Sequence, residues 1–298
     1  MKTFLIALLA LALNASAAEP LKAKRIVFLG DSITHGGQYV ADFSCWVATK
    51  YPDVEVINLG LSSETVSGLS EEGHAGGKFP RPDLHERLAR VLAGTSRAQR
   101  DAEGEGGKPN LVIACYGMND GIYLPLDEAR FKAFRDGMTR LHDAVIKTGA
   151  DIIHLTPPVF DKSKNDYDDV LARYGAWLME QRTNGWKVVD IHGPMKARIA
   201  ELRKNDPKFT FARDGVHPDK AGHRVMAQPL LAYFGGNEAP ADNAELRKLV
   251  EKRQGILGAA WLTATGHKRP GVGKGLPLDE AQKQAAELTK QINALLAR

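Results

Sequence analysis

The chain has 298 residues, of which 26% are charged, 43% apolar and 7% aromatic. These proportions exclude a disordered, collagen-like, coiled-coil or multi-span membrane protein, and the length suits one large domain with an appendage. The formal net charge is +4, and residues 241–298, with 10 Lys and Arg against 6 Asp and Glu, carry all of it; the neutral main body lacks the basic stripe of a nucleic-acid-binding domain, so no nucleic-acid partner is expected.

Residues 1–18 read MKTFLIALLALALNASAA. Lys2 supplies a positive n-region. The apolar run Phe4–Leu13 is too short to span a bilayer, and Ala15-Ser16-Ala17 is a small-residue cleavage pattern. This predicts a signal peptide over 1–18, a mature chain starting near Glu19, and a secreted or periplasmic protein. No later segment predicts stable membrane insertion.

Five near-continuous apolar runs follow: Arg25–Leu29, Val54–Leu59, Leu111–Tyr116, Asp151–Leu155 and Trp186–Ile191. That pattern fits parallel strands covered on both faces. Helical patterns separate them at Leu84–Leu92, Glu128–Lys147 and Tyr167–Gln181, and two more, Pro194–Leu202 and Lys220–Tyr233, follow the last strand. The polar stretch Gly94–Pro109 reads as a surface loop. The alternation predicts an α/β fold built on a parallel sheet. After Gly235-Gly236 come a charged helical pattern at Ala244–Gln254, a flexible Gly271–Gly275 loop and a helix at Leu278–Leu296. We therefore expect a core domain over 19–238 and a helical extension over 239–298. The two cysteines, Cys45 and Cys115, sit in apolar surroundings that favour buried thiols, although export permits a bridge.

Ligands of open α/β sheets bind at the carboxyl ends of the strands. Those ends present Gly30-Asp31-Ser32, Asn58-Leu59-Gly60 and Gly117-Met118-Asn119-Asp120, and Asp214-Gly215-Val216-His217 precedes the helix after the last strand. A serine hydroxyl needs a base, and His217 can take its proton. Asp214 can accept the other imidazole N–H, or merely cap a helix. The N–H of Ser32, the N–H of Gly60 and the amide of Asn119 are candidate oxyanion donors. His35 is a candidate substrate contact. His35, His74 and Asp214 share no metal-ligand spacing, so no metal is expected. His154 ends a strand and reads as packed. The basic turn Gly266–Arg269 reads as solvated, with a substrate-carboxylate contact as the alternative.

In these four blocks the chain resembles the SGNH, or GDSL-type, hydrolases. Ser32 matches the family nucleophile, Gly60 and Asn119 the oxyanion residues, and Asp214 and His217 the Asp-x-x-His pair. The resemblance spans residues 25–235. It implies a three-layer α/β/α sandwich with a five-stranded parallel sheet, flavodoxin-like, and neither a metal nor an organic cofactor. One position departs from the pattern: many members have a second glycine three residues after the first, where this chain has Ser63, which bears on the loop's shape.

The sequence thus predicts a serine esterase acting through an acyl-enzyme on a small-molecule or polysaccharide ester. Exported members resembling it include esterases that remove O-acetyl groups from carbohydrates. The short, polar motif loops favour that substrate over a fatty acyl chain. The alternatives are a lysophospholipase or lipase-like esterase, and a non-catalytic carbohydrate-binding protein on the same fold.

Overall fold

The computed structural model describes residues 18–94, 108–162, 166–236 and 243–298. The leader, save Ala18, the interior of the Gly94–Pro109 stretch and the boundary expected at 238–239 lie outside the described residues. In chain order the elements are β1 (Arg25–Gly30), α1 (Ser32–Gly36), α2 (Gln38–Lys50), β2 (Glu55–Asn58), α3 (His85–Ala93), β3 (Leu111–Cys115), α4 (Glu128–Ile146), β4 (Asp151–Leu155), α5 (Tyr167–Glu180), β5 (Lys187–Val189), α6 (His192–Leu202), α7 (Lys220–Tyr233), α8 (Ala244–Thr265) and α9 (Leu278–Leu296).

The five strands form one parallel sheet in the order β2-β1-β3-β4-β5. Phe28 of β1 pairs with Asn58 of β2 on one side and Ile113 of β3 on the other. The apolar runs are continuous because helices cover both faces. Right-handed crossovers put α2 on one face, where α7 packs against it, and α3, α4 and α5 on the other. Phe28 meets Phe43 of α2 edge-on at 5.4 Å, while Phe134 of α4 stacks on Tyr174 of α5 at 4.3 Å. The chain runs outward from β1 to β2 and then returns to β3, so the switch point lies between β1 and β3. That places the segment after β1, with Ser32, beside the segment after β3, with Asn119.

Local chemistry starts the helices. Asp127, Asp219 and Asn243 each accept a backbone N–H of the first turn of α4, α7 and α8 at 2.9 Å. Two elements carry no stripe in the sequence. α1 is only five residues long, and α2 is buried from Tyr39 to Ala48, wedged against α7 and α8, so it shows no polar face. β5 is three residues rather than six, as suits an edge strand. Trp186 leaves the strand to stack on His142 at 4.1 Å and His154 at 4.7 Å. Cys45 and Cys115 are free and buried.

The helix expected to end at Gln254 continues to Thr265 through two glycines. Gly258 explains the continuation: a Cβ there would stand 2.8 Å from the Asn58 carbonyl oxygen, so only glycine lets α8 lie against β2. The other edge strand of the sheet is thereby covered. Leu257, Trp261 and Leu262 of α8 join the same core as the sheet. Trp261→Ala is expected to cost about 3–5 kcal/mol while unfolding stays a single transition. Urea denaturation followed by fluorescence and circular dichroism checks this; two separate transitions would mean the extension folds apart from the sheet.

Candidate active site

β1 ends at Gly30, where a Cβ would clash with the Thr34 hydroxyl at 2.1 Å and the Cys115 carbonyl at 2.7 Å. The bare backbone lets the chain turn directly into α1. Asp31 caps that helix, its Oδ1 accepting the Ile33 N–H at 2.9 Å, and Ser32 stands in the first turn. Ser32 Oγ lies 2.8 Å from His217 Nε2, across 185 residues of sequence. His217 Nδ1 lies 2.6 Å from Asp214 Oδ2. With Nδ1–H donating to Asp214, Nε2 is left to accept the serine proton.

Asp214 has a second task. Its Oδ1 accepts the backbone N–H groups of Val216 at 2.9 Å and His217 at 2.8 Å, so one carboxylate shapes the turn and aims the imidazole. Gly215, at φ +85°, makes the turn possible. The helix that follows is capped by Asp219, not by Asp214. Partial burial pushes the Asp214 carboxyl up, but the hydrogen bonds from His217 and Val216 and the imidazole charge outweigh it and hold it at about 2. It is therefore ionised wherever the histidine works. Both side chains remain half exposed, at 51% for His217 and 56% for Asp214.

The expected oxyanion donors differ from one another. The Ser32 N–H has no acceptor among the described residues. Asn119 is buried; its Oδ1 accepts the Tyr123 O–H at 3.0 Å and its Nδ2 donates to the Glu64 carbonyl at 3.2 Å. The tyrosine fixes the amide's orientation, and an amide has a second N–H to offer. The Gly60 N–H departs from the expectation of a free donor: it donates to Asn58 Oδ1 at 2.9 Å. Asn58, two residues back, closes this turn, and its Nδ2 donates to the Thr34 carbonyl at 2.6 Å. Gly60 is needed for packing, since a Cβ would lie 2.4 Å from the His35 nitrogen. Ser63 adopts φ +68°, the left-handed conformation that a glycine takes freely, so the loop turns there despite the side chain.

His35 sits beside these groups, exposed, with Nδ1 2.9 Å from the Gly60 carbonyl. His74 lies against Glu71 and Phe79. His154 is buried beside His142, and burial pushes it down to about 3. Lys268 of the basic turn pairs with Glu86 at 2.6 Å, and Arg269 lies over the Phe79 ring at 4.5 Å. Among the described residues no group of three His, Cys, Asp or Glu side chains is placed to hold a metal.

Sequence reasoning missed the supports under the loops. Arg87 of α3 clasps Glu64 with two bonds of 2.6 and 2.7 Å, and Tyr116 O–H donates to the same carboxylate at 2.7 Å. Burial works against the Arg87 cation, but Glu64 outweighs it and holds the guanidinium above its ordinary range. A signal existed: Arg87 falls on the apolar face of Leu84, Leu88 and Val91. Asp120, which reads as a plain turn residue, accepts the N–H groups of Val66, Ser67 and Gly117 at 2.8–2.9 Å.

This fold, with these residues at its switch point, defines an α/β/α-sandwich hydrolase. Residues 28–225 match the model of the GDSL-like lipase/acylhydrolase family, and the chain belongs to that family. It is a hydrolase acting on esters. Solved structures share its fold. An acetylxylan esterase from Geobacillus stearothermophilus aligns with TM-score 0.51 and 21% identity over 71% of this chain and 94% of its own. A hydrolase from the metagenome of Lake Arreo, Spain, aligns with TM-score 0.50 and 23% identity over 73% and 97%. A gut microbial diltiazem-metabolizing enzyme aligns with TM-score 0.52 and 23% identity over 73% of this chain, which spans 47% of that longer protein. No curated protein matches the chain. Among the described residues no helix is long and apolar enough to cross a membrane.

Asp31, next to the serine, generates a pH prediction. Burial pushes its carboxyl up to about 7 from 3.8; the Ile33 N–H opposes this, Asp120 and Glu64 add to it, and the His217 charge works against it. A carboxyl raised on folding stabilises the protein most fully in acid, and the contribution is lost as pH rises through the folded value. Wild-type stability relative to Asp31→Asn, which keeps the capping oxygen, is expected to fall between about pH 4 and 7 and then level off. Urea titrations of both proteins across that range measure it; parallel curves would show that Asp31 is ionised in the folded protein throughout.

Proposed function

We propose that the protein is an exported serine esterase that removes O-acetyl groups from a carbohydrate. The observation that carries this reading is the hydrogen-bonded chain from Ser32 through His217 to Asp214, at 2.8 and 2.6 Å, on an exposed edge of the sheet. Ser32 Oγ attacks the ester carbonyl while His217 Nε2 takes its proton. The new C–O bond gives a tetrahedral oxyanion, which the Ser32 N–H and the Asn119 amide stabilise. The C–O bond to the sugar then breaks, and His217 returns the proton to the departing alkoxide. Water attacks the acyl-enzyme by the same steps and releases acetate and free Ser32. Asp214 holds the tautomer and balances the imidazolium.

An acetyl group and a polysaccharide suit the site. The half-exposed His217 and Asp214 stand on a surface turn that a long chain can cross. The neighbouring cavity, lined in part by His35, has Ala259, Leu262 and Val272 as its apolar side chains among polar groups and glycines, too few to make a fatty-acyl tunnel. The leader sequence supports export.

Ser32→Ala and His217→Ala are each expected to abolish release of p-nitrophenol from its acetate ester while the circular dichroism spectrum is kept. Wild-type rates in a folded Ser32→Ala protein would end the serine-esterase reading. Asn119→Ala is expected to lower kcat by roughly 10²–10³, as for one oxyanion donor. A rise in KM alone would make Asn119 a ground-state contact instead.

A further inference from the structure

We infer that the C-terminal extension and α1 together build a subsite that binds a carboxylate-bearing sugar beside the scissile ester. This deepens the esterase reading and rests on it. The site is a cavity of about 500 Å³, within the range that holds a sugar-sized ligand. His35, Asn58 and Ser62 form one wall, and Gln254, Arg269 and Lys274 the other. His35 is three residues after Ser32 in α1 and is bonded to the Gly60 carbonyl, so the cavity borders the helix that carries the serine.

The chemistry of the walls selects the ligand. The lining contains two cations and neither Asp nor Glu. Among the described residues Arg269 and Lys274 have no carboxylate partner; the Arg269 guanidinium is held over Phe79 and bonded to the Pro270 carbonyl. Arg269 Nε is buried without an acceptor, and Gln254 Oε1 is buried without a donor. Buried polar groups are almost always paired. The two cations, with the amides of Asn58 and Gln254 and the Ser62 hydroxyl around the same cavity, suit a ligand that brings both a carboxylate and hydroxyls. A sugar acid has both, and an arginine fork suits its carboxylate.

The glycines of this region fit the same purpose. The loop Gly271–Gly275 is pinned to α8 where the Gly275 N–H donates to the Thr263 hydroxyl at 2.8 Å. A Cβ at Gly275 would stand 2.2 Å from the Ala259 carbonyl carbon, so the loop lies directly on the helix and carries Lys274 to the cavity. Gly255 and Gly273 line the cavity, and a Cβ on either would meet nothing within 4 Å. They leave room for a ring against the backbone.

The test compares two acetylated substrates, a neutral xylo-oligosaccharide and an oligogalacturonide, on wild type, Arg269→Gln and Gly255→Leu. Gly255 sits in a helix with open space at its Cβ, so leucine fills the cavity without disturbing the fold, which circular dichroism verifies. Wild type is expected to prefer the acidic substrate. Arg269→Gln is expected to cut the acidic-to-neutral ratio of kcat/KM about tenfold or more, the loss of one charge-assisted bond. Gly255→Leu is expected to raise KM for the acidic substrate by a similar factor. An unchanged ratio in Arg269→Gln, or a wild type with no acidic preference, overturns the subsite. Calorimetry of unacetylated tri-galacturonate with Ser32→Ala tests binding apart from catalysis. Saturable binding that Arg269→Gln abolishes supports the subsite even if no ester is cleaved, an outcome that would sink only the esterase reading. Absence of binding by calorimetry overturns the subsite while leaving any p-nitrophenyl acetate activity intact.

Discussion

A carboxylate taken out of water costs several kcal/mol unless hydrogen bonds or a cation replace its hydration. The protein buries three around its site, Asp31, Glu64 and Asp120, close enough that both others act on the titration of Asp31. Asp31 takes only the Ile33 N–H of its own turn, whereas the bonds to Glu64 and Asp120 tie separate segments together. Glu64, in the segment after β2, takes Arg87 of α3 and the hydroxyl of Tyr116 at the end of β3. Asp120, in the segment after β3, takes three N–H groups, two of them from the segment after β2. Neither segment can shift without stranding a charge. Asn119 adjoins Asp120 in sequence and bonds the Glu64 carbonyl in space. The position of the Asn119 amide is therefore set by the same two carboxylates.

The support is buried, whereas Asp214 and His217 are not. Asp214 and His217 stand three residues apart on one surface turn, whose geometry needs only Gly215 and the two N–H bonds to Asp214. Ser32 comes from the other half of the chain, delivered by the interior strand β1. The meeting of a local device and a distant residue depends on the parallel sheet, which gathers the strand ends at one edge. An exposed pair loses part of its electrostatic strength to solvent screening. What it gains is direct access from solvent.

Much of this was legible in the sequence because the sheet is covered on both faces. A strand buried on both sides must be apolar throughout, and all five runs were bounded within about two residues of their observed ends. The same rule hid α2, since a helix buried on all sides has no stripe to display. Ser32, Asn119, Asp214 and His217 stood out as candidates because their chemistry is specific to a few residue types at strand ends, and the structure joins Ser32, His217 and Asp214 by hydrogen bonds. The Gly60 N–H was misread because nothing in the motif shows that Asn58, two residues earlier, occupies it. Glu64 and Asp120 escaped notice because a charged residue reads as solvated until its partners are placed. Arg87, on an otherwise apolar helix face, was the one trace of that buried network.

The C-terminal extension looks like an appendage in the sequence, and the family match ends at residue 225, before it begins. Physically it completes the sheet. β2 is an edge strand, and α8 lies against it where an unpaired edge would otherwise meet solvent or another chain. The contact is specific on both sides. Arg247 of α8 pairs with the buried Asp42 of α2, and Gln254 donates to the Gly37 carbonyl between α1 and α2 at 3.1 Å. Gly258 presses on the backbone of Asn58, the residue whose side chain bonds both the Gly60 N–H and the Thr34 carbonyl. Thr34 lies in the same turn of α1 as Ser32. A helix outside the matched region thus bears, through one asparagine, on the helix that presents the serine, so the placement of Ser32 depends on the extension as well as on the family core.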